Sequence, residues 1–224
     1  MLETKFLYLY LMLFSLSYPL AQSFEWRIKY YKKWKRLFPA IGLILFIFVP
    51  WDALFALKGV WWFNEKYTMG INILGLPIEE WSFFIVVPFA CVFIYEVLNY
   101  YLKNDLLGRS AKWITLVIAV VLLFFGFWFF ANAYTSITFL LTGFVCVLVA
   151  LKNPHWLGRF LVAFLVCLLP FLLINGALTG SFTQEAVVNY NPEEFIGIRI
   201  FTIPIEDSVY GFLMILLTIW VYER

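Results

Sequence analysis

The side chains of this chain best suited to chemistry are carboxylates set, twice, at the entrance of an apolar segment. Pro77-Ile78-Glu79-Glu80 is followed, after fourteen mostly apolar residues, by Tyr95-Glu96; Pro204-Ile205-Glu206-Asp207 is followed at the same interval by Tyr222-Glu223. The copies lie 127 residues apart, and Gly70 matches Gly197 at the same offset. Acids in or beside lipid are costly to place, so a motif that carries them twice asks for a reason. Proline suits a helix entrance, and acids suit the first turn, where free N–H groups and the helix dipole favour negative charge. That explains a single copy as a helix start. Two copies at one spacing point to two halves supplying carboxylates to one site. Adjacent helical residues point about 100° apart, so one acid of each pair faces the bundle interior; the sequence leaves open which. Carboxylates gathered in a low dielectric cannot all stay ionised, and the result, a protonated acid beside an ionised base, is what general acid–base catalysis requires. The catalytic candidates are Glu79, Glu80, Glu206 and Asp207.

Other residues fall around these acids. Asp52 stands near the same end of its apolar segment, and its counterpart in the second copy, Asn175, is neutral, so the halves are not chemically equivalent. Candidates for substrate contact are Asp52, Trp51, Trp81, Phe84, Asn175, Arg199 and Tyr210, with Trp61, Trp62 and Phe83 also placed to line a pocket. Their π faces can stabilise a cation without offering a nucleophile to trap it. Tyr95-Glu96 and Tyr222-Glu223 lie roughly 27 Å further along their helices, at the opposite membrane face, where tyrosine belongs to the interfacial belt. No metal is expected. His155 is the only histidine and sits in a polar loop; Cys91, Cys146 and Cys167 are odd in number and lie in apolar segments, as small core residues do. No glycine-rich phosphate loop or aspartate-rich diphosphate motif is present, which removes the usual support for nucleotide, dinucleotide or prenyl diphosphate chemistry.

The elements that must position these groups are membrane helices. The chain has 224 residues, 64% hydrophobic, 22% aromatic and 13% charged. Apolar runs of about 20 residues recur, each long enough to cross a hydrocarbon core of roughly 30 Å. Seven spans are expected, at about 5–24, 37–56, 80–101, 112–131, 134–151, 158–176 and 204–222. Ala21-Gln22-Ser23 imitates a signal cleavage site, but Arg27, Lys29, Lys32, Lys33, Lys35 and Arg36 follow at once and resist translocation. Seven spans put those six basic residues, with Lys103, Arg109, Lys112, Lys152, Arg159 and Arg224, on one face; only Lys5, Lys58, Lys66 and Arg199 fall on the other. The basic face is cytoplasmic by the positive-inside rule, so the N-terminus is outside, the C-terminus inside, and both acid pairs lie on the non-cytoplasmic side. The expected fold is an all-α bundle of two parallel three-helix repeats, 1–108 and 133–224. A linker span at 109–132 restores the direction between them. The net charge of +2 is too small to imply a nucleic-acid partner.

Three stretches carry a resemblance: Pro77-Ile-Glu-Glu-Trp-Ser-Phe-Phe, Ala90-Cys-Val-Phe-Ile-Tyr-Glu, and Gly197-Ile-Arg-Ile-Phe-Thr-Ile-Pro-Ile-Glu-Asp-Ser-Val-Tyr-Gly-Phe. On these the chain resembles the lycopene cyclase domain family, membrane-integral and flavin-free, over nearly its whole length. The resemblance implies an isomerase of the cell membrane that closes the ψ ends of lycopene into β-ionone rings, with no cofactor. The family's motif carboxylates match Glu79, Glu80, Glu206 and Asp207; Ser208-Val209 stands where the first copy has Trp-Ser, so the halves are expected to differ in role. Its partners would be lycopene and the bilayer, with a homo-oligomer or other carotenoid enzymes as further contacts. Ring closure is redox-neutral: a proton adds to the terminal double bond, the internal double bond attacks the cation, and a ring proton leaves. It requires an acid, a base, a dry pocket and non-nucleophilic walls. Two alternatives stand beside this reading: a non-catalytic carotenoid- or lipid-binding membrane protein, and an ion-coupled transporter. Against the transporter, the acids cluster at one face and not at the midplane.

Overall fold

The computed structural model describes residues 3–224, about two-thirds of them helical. Seven occur along the chain: α1 (Leu7–Gln22), α2 (Trp34–Leu57), α3 (Ile78–Tyr101), α4 (Ala111–Trp128), α5 (Ala133–Lys152), α6 (Leu157–Leu178) and α7 (Ile205–Tyr222). They coincide with the seven expected spans to within a few residues, because the apolar runs that define them are long. Six are long and apolar enough to cross a membrane; α1, at 16 residues, is shorter. Pro39 and Pro50 lie inside α2, Pro88 inside α3 and Pro170 inside α6. Such prolines are tolerated in membrane helices, where neighbouring groups re-satisfy the freed carbonyls.

The central helices come from both halves of the chain: α2 packs on α3 and α7, α3 on α1, α6 and α7, and α5 on α7. The core follows that seam. Phe48 meets the ring of Tyr210 edge-on at 5.1 Å, and Phe160 meets Phe212 at 5.1 Å. The α4 helix lies to one side against α5, with Val117, Val120, Phe124, Phe127 and Trp128 exposed on its outer surface, as lipid-facing side chains are. Small residues set this contact. A β-carbon added to Gly143 would stand 2.8 Å from the Leu123 side chain, and one added to Gly126 would stand 2.9 Å from Leu140.

The helical reading of the sequence contained no strands, yet six short ones cap one end of the bundle. Two are hairpin partners just ahead of α3, β2 (Asn72–Ile73) with β3 (Leu76–Pro77), and two stand just ahead of α7, β5 (Arg199–Ile200) with β6 (Ile203–Pro204). The remaining two, β1 (Trp61–Phe63) and β4 (Val188–Tyr190), pair antiparallel across the two halves, Trp61 opposite Tyr190 and Phe63 opposite Val188. They are too short for alternation to be read from the sequence, and Trp61 pairs with a strand more than a hundred residues away.

Candidate active site

The acid motifs sit at the N-termini of α3 and α7, and each is built the same way. In the first, the Met69 N–H donates to Glu79 Oε1 at 2.7 Å, Gly70 turns the chain at φ +84°, the β2–β3 hairpin follows, and the Ile78 N–H donates to Ile71 O at 2.9 Å. In the second, the Ile196 N–H donates to Glu206 Oε1 at 2.9 Å and Gly197 turns at φ +85°. The β5–β6 hairpin follows, and the Ile205 N–H donates to Ile198 O at 3.0 Å. Every member of the second set stands 127 residues after its counterpart. Glycine is required at the turn because side chains rarely adopt that backbone conformation. Glu79 and Glu206 are 1% and 0% exposed, and Glu206 also accepts from the Thr135 hydroxyl at 2.6 Å. These two acids clasp the preceding loops to the helix ends.

The second acid of each pair turns the other way, as the 100° step between neighbours demands. Glu80 and Asp207 line one cavity of about 70 Å³ between the halves, together with Asp52 from α2, Asn175 from α6 and Tyr210 from α7. Glu80 Oε2 accepts from the Tyr8 hydroxyl of α1 at 2.6 Å. Asp207 accepts three hydrogen bonds: from the Tyr134 hydroxyl of α5 at 2.6 Å, the Asn175 amide at 2.7 Å and the Tyr190 hydroxyl of β4 at 2.7 Å. The tyrosines from α1 and α5 are counterparts, 72 and 73 residues ahead of their acids. Tyr134 is held in place through the start of its helix, where Glu194 accepts from the Ala133 N–H by its side chain at 3.0 Å and from the Tyr134 N–H by its carbonyl at 2.9 Å. Burial, and after it the Asp207 carboxyl, push the Tyr190 hydroxyl well above its ordinary pKa, so it remains a donor.

The β1–β4 ribbon roofs this cavity. Trp61, Phe63, Val188 and Tyr190 alternate along their strands and all line it. Trp62, one residue out of phase, is 49% exposed. Trp61 meets Tyr134 edge-on at 5.0 Å, and Phe83 and Phe171 complete the walls. Trp61 and Phe63 also bound a wider groove of about 760 Å³, which runs between the end of α2 and the β2–β3 hairpin and is lined by Ala53, Leu54 and Leu57. Among the described residues, no lysine, arginine or histidine lines this cavity, and no three side chains of ligand type are gathered to hold a metal ion.

Of the residues singled out in the sequence, Glu80, Asp207, Asp52, Asn175 and Tyr210 meet in the cavity. Glu79 and Glu206 stand outside it as loop clasps. Trp51 lies behind Tyr210 with ring centres 5.0 Å apart, and Phe84 is buried against Phe48. Trp81 points away and donates its indole N–H to Ile73 O at 3.1 Å, which fastens the hairpin. Arg199 is exposed on β5, with its guanidinium over Phe195 at 4.8 Å and over the Tyr190 ring at 5.7 Å, so it reaches the site only through Tyr190. Tyr8, Tyr134 and Tyr190 escaped the sequence reading. The nearly equal intervals from Tyr8 to Glu80 and from Tyr134 to Asp207, 72 and 73 residues, were a usable signal; Tyr190 offered none.

A family model described as lycopene cyclase matches residues 5–98 and again residues 131–224, one match for each half. Lycopene beta-cyclases from two strains of Halobacterium salinarum are each 36% identical over 67 residues, a stretch that covers 29% of this chain and 28% of theirs. No solved structure matches. With both halves matched and well over half of the chain covered, this membrane protein belongs to the lycopene cyclase family.

Proposed function

We propose that the protein converts the linear ψ ends of lycopene into β-ionone rings by general acid–base catalysis, as an isomerase without net redox change. The observation that carries this reading is the convergence of Glu80 and Asp207, one from each half, in a cavity walled by aromatic rings and free of basic side chains. A proton from one side of the cavity adds to the terminal double bond. The internal double bond attacks the resulting tertiary cation and closes the ring, and a carboxylate removes a proton from the ring carbon to leave the new double bond. One proton enters and one leaves, and no electron is exchanged. Tyr210, Trp61 and Phe83 offer π faces to the cation, and a water-poor cavity denies it a nucleophile. The rest of the polyene has room along the groove beyond Trp61 and Phe63, against Ala53, Leu54 and Leu57. In this reading Glu79 and Glu206 hold the loops and do not touch the substrate.

The same reading divides the chain into repeats 1–108 and 133–224 with a linker between them, and puts the site toward the non-cytoplasmic face. Supporting this, the basic segment lies at the far end of the bundle: Lys33 pairs with Glu96 near the end of α3, whereas Glu80 opens its first turn. Expression in lycopene-accumulating cells tests the function directly. The wild-type chain should yield β-ring carotenoids. Glu80→Gln and Asp207→Asn should each lower ring formation by about 100-fold or more, the usual contribution of a general acid or base. Accumulation of the intact protein with lycopene unchanged would overturn the proposal in favour of carotenoid binding without turnover.

A further inference from the structure

Asp52 is an unexplained group in this site. It is 4% exposed, it lines the cavity beside Glu80 and Asp207, and its Oδ2 is buried with no hydrogen-bond partner. The hydroxyl of Tyr210, buried on the same cavity, is also without a partner. A buried polar atom left unpaired in this way costs free energy unless something else engages it. Three carboxyl groups therefore share one small cavity with no cationic side chain among its lining residues. Three negative charges cannot be held there without counter-charge, so protons must supply what basic residues do not.

The hydrogen bonds decide where those protons sit. Asp207 accepts from Tyr134, Tyr190 and Asn175, which fills three of the roughly four lone-pair positions of a carboxylate. Three donors favour the charged form of the acceptor, so Asp207 is the ionised member, with one position on Oδ1 left to receive a proton. Glu80 accepts only from Tyr8, and Asp52 Oδ2 has no donor at all. We infer that Asp52 and Glu80 together form the acid that starts the reaction, sharing a proton donated to the terminal double bond, and that Asp207 is the base that removes the ring proton. Between turnovers Asp207 gives the ring proton up to solvent and the acid pair takes one from solvent, by way of the hydroxyls that line the cavity, restoring the starting state. The catalytic apparatus is thus asymmetric although the chain is duplicated: α2 brings a carboxyl, Asp52, to the cavity, whereas α6 brings an amide, Asn175, which donates to the base.

This inference rests on the proposed cyclisation, and the test separates the two. Membranes containing the tagged wild-type chain are given lycopene in heavy water; each new ring should carry one deuterium from the solvent. If the wild type makes no ring product, the cyclase reading fails, and this inference with it. If the wild type cyclises, Asp52→Asn should lower ring formation per molecule of membrane-embedded protein by about 100-fold, and the recovered lycopene should be free of deuterium, because no cation forms. Asp207→Asn should lower it as far, yet return lycopene that carries deuterium, because the cation forms and collapses back. Asp52→Glu should restore at least a tenth of wild-type activity where Asp52→Ser does not. Wild-type cyclisation by Asp52→Asn or Asp52→Ser, or deuterated lycopene from Asp52→Asn, would overturn the assignment.

Discussion

Glu80 and Asp207 hold equivalent places in the two halves, and two hydrogen bonds separate their surroundings. Each accepts from a tyrosine on the first helix of its own half, Tyr8 or Tyr134. Only Asp207 also receives the Asn175 amide and the Tyr190 hydroxyl. Hydrogen bonds to a charged acceptor are worth about 1.5–3 kcal/mol each, so under the proposed mechanism the pattern favours Asp207 as the base. Tyr190 provides the sharper probe because it lies in β4, outside the helices, and is braced by Arg199. Tyr190→Phe keeps the ring that roofs the cavity and removes the donor. Ring formation should fall about 10-fold with protein abundance unchanged, and pigment ratios normalised to the tagged chain would show it. The acids at this site were legible in the sequence, and its tyrosine donors were not. The acids' division of labour was not legible either, since it depends on donors contributed by α5, α6 and β4.

At the scale of elements, the unit that repeats is a loop strapped to a helix end. The strap consists of an N–H to the first acid, a left-handed glycine, a two-residue hairpin turn and a backbone bond that closes onto the helix start. Such a unit aims the second acid inward whichever side chain it carries, which is why Glu80 and Asp207 can differ. Gly197→Ala places a β-carbon on a backbone at φ +85°, where there is open space but an unfavourable conformation. A cost of about 1 kcal/mol is expected. Glu206→Gln keeps the shape of the clasp but loses the charge that strengthens its bonds from Ile196 and Thr135. Both substitutions should lower the thermal stability of the detergent-solubilised protein while leaving measurable ring formation. Activity losses as deep as those of Asp207→Asn, with stability intact, would show that Glu206 takes part in the chemistry.

The whole molecule is joined at both ends of the α3–α7 seam. At one end lies the cavity roofed by the β1–β4 ribbon, a strand from each half. At the other, the halves exchange hydrogen bonds reciprocally: the Tyr95 hydroxyl donates to Glu223, and the Tyr222 hydroxyl to Glu96 Oε1, with Lys33 closing on the same carboxylate. Such an exchange is what a twofold relation between duplicated units produces. The two tyrosine rings are 6.4 Å apart, close enough to couple. Tyr95→Phe and Tyr222→Phe should each destabilise the protein by about 1 kcal/mol, and the double variant should depart from the sum of the singles; thermal denaturation in detergent measures all three. Purely additive losses would mean that the two bonds act independently.

By itself the sequence determined the membrane class, the helical spans and the duplication. Long apolar runs and a motif repeated at a constant offset are local properties that survive without knowledge of packing. It also marked four acids as the chemistry-bearing groups, because charge beside lipid is costly enough to demand an explanation. The tertiary structure alone decided which acid of each pair faces the cavity, that Asp52 joins them, that three tyrosines serve as donors, and that two short strands from distant loops close the roof. Each of these depends on contacts between segments far apart in the chain, where helical rotation and strand pairing, and not residue type, determine what meets what.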